Sequence, residues 1–272
     1  MKTWIFLLCG GLFIASCNSN SGTDSAKTSF ETNEALYERA LDLGDYGTAL
    51  VALNYMLLED STNMEYTDSL ARIYMRSGSF DAGLNLGQKV MDGDAKNYKL
   101  LELIATAQEY KGDPPNLIKA YRNYKILHEE FKGTRYLLKL AQVGMMQGTY
   151  QASMKKLEEV IASESVTLIE SPTSDGGVQM IDVKAGANML KANYYFNEGQ
   201  EKLGAQCLEQ ALKITPDYEA ARLMVQRLQQ FQQQKAAMGQ QQAYQQQQGR
   251  QAEINRKKAE QKRLEEQFLK NK

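Results

Sequence analysis

The 272-residue chain has one histidine, one tryptophan, three cysteines and four prolines. Each scarcity excludes something. With His128 as the sole histidine, neither a serine-histidine-aspartate triad nor a multi-histidine metal site can be assembled. A lone histidine after Leu127 in a helical run reads as a structural or solvated residue. The cysteines make no disulfide framework: Cys9 lies inside an apolar N-terminal run and Cys17 at its end, which leaves Cys207 alone. The fold must therefore hold without covalent staples. So few prolines, among abundant Ala, Leu, Gln, Glu and Lys, allow helix almost throughout. No phosphate-cradling or dinucleotide fingerprint occurs, because the glycines are spaced as helix stops. The chain reads as a non-enzyme, with no catalytic residue, cofactor, metal, small-molecule substrate or nucleic acid expected.

The N-terminus carries a signal. Met1 and Lys2 form a minimal positive region and Ile5 to Phe13 an apolar run too short to span a bilayer as a helix. The run ends in Ile14-Ala15-Ser16-Cys17, which resembles the lipobox of bacterial lipoproteins. That resemblance implies a signal peptide over 1–16, cleavage before Cys17, lipidation of Cys17, and a membrane contact through the lipid. Asn18 in place of an aspartate implies sorting to the outer membrane. The lack of an acidic cluster after Cys17 implies an orientation facing the periplasm. Residues 17–29 begin with a polar stretch that has nothing apolar to bury, and read as a flexible tether.

Charge is unevenly spread. From Lys235 onward nine Lys/Arg face four Asp/Glu, while the part between the signal and Lys235 carries seven net negative charges. An acidic body precedes a basic tail.

An internal repeat dominates the body. Gly44, Gly78, Gly112, Gly148 and Gly199 each follow a helical run, at spacings of 34, 34, 36 and 51. Around each glycine the same columns return. Eight and seven residues before it stand Leu36-Tyr37, Leu70-Ala71, Ile104-Ala105, Leu140-Ala141 and Lys191-Ala192. Two residues after it stand Tyr46, Phe80, Pro114, Tyr150 and Glu201, and five after it Ala49, Gly83, Leu117, Ser153 and Gly204. Leu53, Gly87, Tyr121, Leu157 and Leu208 follow, then Met56, Val90, Tyr124, Val160 and Ala211 one turn on. A small residue in each helix lets the two approach closely, and the large residue beside it fills the space between neighbouring pairs. The glycine ends the first helix in a left-handed conformation.

With these columns in phase, residues 30–232 resemble the tetratricopeptide repeat (TPR) family. Lys191, Pro114, Glu201 and Tyr37 depart from its pattern. The resemblance implies an all-α, right-handed α-solenoid of about five helical hairpins that binds proteins as a scaffold or assembly factor of the cell envelope. The alternative is a chaperone-like or regulatory subunit holding one exported client. Between Gly148 and Gly199 the period is exceeded by 17 residues. Two β-prone runs flank Ser171-Pro172-Thr173-Ser174-Asp175-Gly176-Gly177, and predict a β-hairpin inserted over 166–183. Tyr218 to Phe231 read as a capping helix. The Gln-rich, basic tail, 233–272, reads as a marginal helix, partly disordered, too poor in apolar residues for a coiled-coil seam.

In the family the first helix of each hairpin lines a concave groove. Carried over, the candidates are Glu31, Glu34, Glu38 and Asp42, then Glu65, Asp68, Arg72 and Arg76. Lys99, Glu102, Thr106, Glu109 and Tyr110 come next. Arg135, Leu138, Gln142, Met145 and Met146 follow, and finally Met189, Asn193, Phe196 and Asn197. This predicts a groove acidic at its start and Met-rich at its end, suited to a peptide with a basic start and an apolar anchor. The partner-binding residues of choice are Arg72, Arg76, Tyr110, Gln142, Met145, Met146, Met189, Asn193, Phe196 and Asn197.

Overall fold

The computed structural model describes residues 22–270. The signal segment 1–16 and Cys17 lie outside the described residues. The chain divides into two compact units, 1–129 and 130–272.

The first unit is built of consecutive helix pairs: α1 (Gly22–Asp42) with α2 (Tyr46–Glu59), α3 (Met64–Arg76) with α4 (Phe80–Gly93), and α5 (Tyr98–Lys111) with α6 (Pro114–Phe131), which ends just past the boundary. Helix α1 starts inside the span read as tether. The sequence between Gly22 and Leu36 contains no proline to break a helix. Side chains cap the starts of α2, α3 and α5. Asn63 accepts from Glu65 N and Tyr66 N at 3.0 and 3.2 Å. Asp45 and Asn97 do the same for α2 and α5 through Thr48 N and Leu100 N.

All five repeat glycines have positive φ, between 68° and 81°. After Gly44, Gly78, Gly148 and Gly199 the next residue donates its N–H five residues back, as Asp45 does to Ala40 O at 2.8 Å, and so satisfies a helix-end carbonyl. Most interior columns pack as the spacing predicts; in the first pair Leu36 is 41% exposed and Ala40 is buried instead. Ala49, Leu53 and Met56 of α2 are buried with Leu70 and Ile73 of α3. A Cβ on Gly83 would sit 2.5 Å from Met75 Cγ and 3.0 Å from Ala71 O, so α3 and α4 meet there backbone to backbone. A Cβ on Gly87 would sit 3.1 Å from Ile104 Cδ1, the large residue of the next pair.

The third pair corrects the column assignment. Its buried residues on α6 are Leu117, Ala120, Tyr124 and Leu127, whereas Tyr121 is only partly buried. Three extra residues, Asp113-Pro114-Pro115, open α6 and rotate every later position. Ala120 is therefore the small contact residue, Tyr124 and Leu127 are the large ones, and Pro114 is not a missing aromatic. The shift of three positions is close to the two extra residues in the spacing to Gly148. Asp113 Oδ1 accepts from Asn116 N at 3.1 Å and fixes this turn. Tyr124 is buried with its hydroxyl donating to Glu109 Oε2 at 2.7 Å and lying 3.2 Å from Thr106 Oγ1. Burial, with the Glu109 charge, pushes its phenol pKa far up.

The second unit holds α7 (Thr134–Met146), α8 (Tyr150–Ala162), β1 (Leu168–Pro172), β2 (Val178–Asp182), α9 (Val183–Asn197), α10 (Glu201–Ile214) and α11 (Glu219–Lys270). Here the helix pairs are α7 with α8 and α9 with α10. The strands pair antiparallel with Ile169 opposite Ile181 and Ser171 opposite Gln179, which turn toward the helices, and Glu170 opposite Met180 facing away. The expected β-hairpin is thus present. Its turn is bonded to the first residue of α11: Glu219 Oε1 accepts from Ser174 N at 2.9 Å, and Glu219 N donates to Gln179 Oε1 at 3.1 Å. At the opposite end, Asp182 N donates to Thr215 Oγ1 at 3.3 Å. Lys191, a departure from the apolar pattern, keeps its side chain mostly buried and carries its ammonium 3.7 Å from Glu158 on α8. The expected cap and tail form one helix. Residues 219–228 pack on the α9–α10 core, and from Gln229 outward the described side chains are exposed.

Two glycines in one hairpin separate backbone from packing effects. Gly78→Ala meets no atom within 4 Å, so its cost is the left-handed backbone alone, about 1 kcal/mol. Gly83→Ala overpacks the α3–α4 contact and costs about 1–3 kcal/mol. Urea denaturation of the two variants gives the comparison, with Gly83→Leu expected to lose the transition altogether.

Candidate functional site

In the first unit α3 and α5 lie against each other, and their outward residues form the face in question. Arg72 does not hang free on it. Its Nε donates to both carboxylate oxygens of Asp68 at 3.0 Å, and its Nη2 donates to Asn97 Oδ1 at 3.1 Å. Asn97 is also the cap of α5, so Arg72 ties α3 to the start of the next pair. Arg76, one turn on, is exposed. Tyr110 is the most prominent residue of this face at 73% exposure, yet its ring is stacked on Phe80 with centroids 5.9 Å apart and planes 6° from parallel. The adjoining Lys111 and Asp81 form an ion pair, which raises the lysine pKa through the hydrogen bond from its ammonium. An exposed aromatic thus held by a ring stack offers contact area at little ordering cost. Glu109 is a correction: it is buried, and its carboxylate serves Tyr124 rather than a groove.

In the second unit α7 and α9 carry the corresponding face. Met146 and Asn197 are exposed; Gln142, Met145, Met189 and Asn193 are partly buried. Met145 packs against the Leu138–Leu157–Val183 cluster, and Met189 against the Leu208–Ala211 cluster. Leu138, at 5% exposure, belongs to that first cluster, which removes it from the face. Phe196 is partly buried because it lies over Gly204, where an added Cβ would come within 2.7 Å of its ring. It therefore replaces the aromatic plug that Glu201 fails to supply. The same periodicity that places a residue one turn along the groove side can place it at the helix-helix seam, and Leu138, Met145 and Phe196 fall there.

Sequence reasoning missed the tyrosines. Tyr150 lies 5.4 Å from Tyr194, and Tyr194 lies 5.6 Å from Tyr195, centroid to centroid. Tyr194 follows Asn193 on α9, and the signal was present in the run Asn193-Tyr194-Tyr195-Phe196. Arg135 stands over the ring of Tyr136 at 4.5 Å, which occupies its guanidinium. Among the described residues no group of three His, Cys, Asp or Glu is placed to hold a metal ion, and no helix is long and apolar enough to cross a membrane.

The alternation of helix pairs with left-handed glycine stops and small-residue contacts defines a TPR-like fold, and solved structures agree. The chain is similar to the MamA 41-end protein from Desulfovibrio magneticus RS-1, at 8% identity and a TM-score of 0.55 over 70% of this chain and 97% of that one. It is similar to a further MamA structure at 15% identity, TM-score 0.52, covering 71% and 97%. It also matches YrrB, described as a TPR protein with an unusual peptide-binding site, at 13% identity, TM-score 0.51, covering 70% and 88%. No protein-family model matches the chain, and no curated protein matches it in sequence.

The two arginines on α3 are expected to behave differently. Arg72→Ala removes the Asp68 and Asn97 bonds and destabilises by about 1 kcal/mol, discounted for partial exposure. Arg76→Ala stays within about 0.5 kcal/mol of the parent. Thermal unfolding followed by circular dichroism reads both; equal losses would contradict the structural role given to Arg72.

Proposed function

We propose that the chain is a non-catalytic protein-interaction scaffold of the cell envelope that engages protein partners through the outward faces of its first helices. The observation that carries this reading is Tyr110: a 73% exposed aromatic stacked on Phe80, beside the Lys111–Asp81 pair that links the same two helices. Fixed, exposed aromatics of this kind are typical anchors of protein interfaces. In the second unit Met146, Gln142, Asn193 and Asn197 supply adaptable apolar and amide contacts. YrrB, a TPR protein with a peptide-binding site, is consistent with this use of the fold. The expectation of lipid attachment at Cys17, with the protein held at the outer membrane and facing the periplasm, belongs to the same proposal and rests on the Ile14-Ala15-Ser16-Cys17 motif alone.

A second reading, a chaperone-like or regulatory subunit for one exported client, is favoured by the exposed Met146 and the partly buried Met189 in one unit, since thioether side chains repack around varied apolar segments. Pull-down from envelope extract distinguishes the two: membrane-complex components support the scaffold, a single soluble client the carrier.

Tyr110→Ala combined with Met146→Glu is expected to weaken partner capture by at least about tenfold while the helical circular dichroism signal stays intact. Unchanged capture would remove both faces from the reading. Independently, Cys17→Ala is expected to move the protein from the membrane to the soluble fraction with its fold unaltered. Continued sedimentation with membranes would refute lipid anchoring without touching the scaffold reading.

A further inference from the structure

On the opposite side of α5 from Tyr110, the first unit contains a cavity of about 320 Å³ between α4 and α6. On α5 the residues Glu102, Thr106 and Tyr110 point one way, while Ile104 and Gln108, one turn apart on the other face, line this cavity. Ile104 and Leu84 give it an apolar floor. The rest of the lining is amide and cationic: Asn85 and Gln88 from α4, and Asn116, Lys119, Arg122 and Asn123 from α6. Its volume falls in the range of natural ligand sites, at the small end.

Three features point to what it takes. First, no carboxylate lines it, although the body of the chain is net acidic. Second, Lys119 and Arg122 are exposed, lie less than one turn apart and have no ion-pair partner among the described residues, whereas the nearby Lys111 and Lys125 are paired with Asp81 and Glu129. Third, the carboxamides are arranged rather than random. Asn123 Nδ2 donates to Gln108 Oε1 at 2.9 Å, Gln88 Nε2 to Asp92 at 2.8 Å and Asn116 Nδ2 to Asp113 at 2.7 Å. Each bond fixes the amide plane and leaves its other polar end for a ligand.

We infer that this cavity is a second binding site, for an acidic stretch of extended peptide. One carboxylate is held by Lys119 and Arg122, main-chain groups by the carboxamides, and an aliphatic side chain by Leu84 and Ile104. Peptide groups need donors and acceptors side by side, which a carboxamide supplies and a bare anion does not use. A flat membrane surface cannot enter a cavity walled by three helices. The site is independent of the groove proposed above and would stand if that groove bound nothing.

The test uses the full chain carrying Cys17→Ala, so that no lipid is attached. The probe is a fluorescent, acetylated and amidated hexapeptide of alternating glutamate and leucine, with its glutamine counterpart as control. The glutamate peptide is expected to bind at least about tenfold more tightly than the glutamine one. Lys119→Glu with Arg122→Glu should erase that difference with unchanged circular dichroism. The equally large charge reversal Lys257→Glu with Lys258→Glu on α11 should leave binding as it was, as should Tyr110→Ala. Equal binding of both peptides, full displacement by inorganic phosphate, or loss caused by the α11 reversal instead of the α6 reversal would each overturn the assignment.

Discussion

Everything in both units depends on how closely two helix backbones can approach within a pair. At Gly83 there is no room for a methyl group, since Ala71 O and Met75 are already in contact distance of where it would stand. At Gly144 a Cβ would come within 2.4 Å of Ser153 Oγ, and at Gly204 within 2.7 Å of the Phe196 ring. Small side chains at these points let the large ones beside them, Leu53, Leu157 and Leu208 among others, reach the next helix and leave water entirely. The left-handed glycines then set the angle at which each helix returns. The outward faces are what remains once these contacts are satisfied.

Most of this was legible from the chain alone because it is a matter of spacing. The glycine period predicted five left-handed stops, and five are found. The turn-rich segment between two β-prone runs predicted the hairpin of β1 and β2. Spacing failed where a local insertion reset the phase. The Asp113-Pro114-Pro115 opening of α6 moves the buried set to Ala120, Tyr124 and Leu127, and a glycine-anchored alignment cannot register an insertion that lies after the glycine. The long α11 helix was only half legible. Glutamine-rich sequence is compatible with helix, and nothing in composition says where the packed portion gives way to the exposed one.

The candidate faces were less legible than the fold, for a physical reason. Helical periodicity assigns a direction with an uncertainty of tens of degrees, while the boundary between a seam and a face is narrower than that. Glu109 and Leu138 fell on the buried side of it, Tyr110 and Met146 on the exposed side. Whether a side chain is free is set by partners distant in sequence. Arg72 is claimed by Asn97, twenty-five residues away, and Lys191 by Glu158 on the preceding helix. Neither partner could be chosen from the sequence without the pairing of helices already in hand.

The bond between the hairpin turn and α11 has a mechanical meaning. Glu219 accepts from Ser174 with its side chain and donates to Gln179 with its own amide, so one residue closes a clasp from both directions. Load applied along the exposed stretch of α11 arrives at its first turn, where it is shared with the strands and, through Asp182 and Thr215, with the starts and ends of the helices beneath them. A rod that would otherwise pivot on a single peptide is braced at its root.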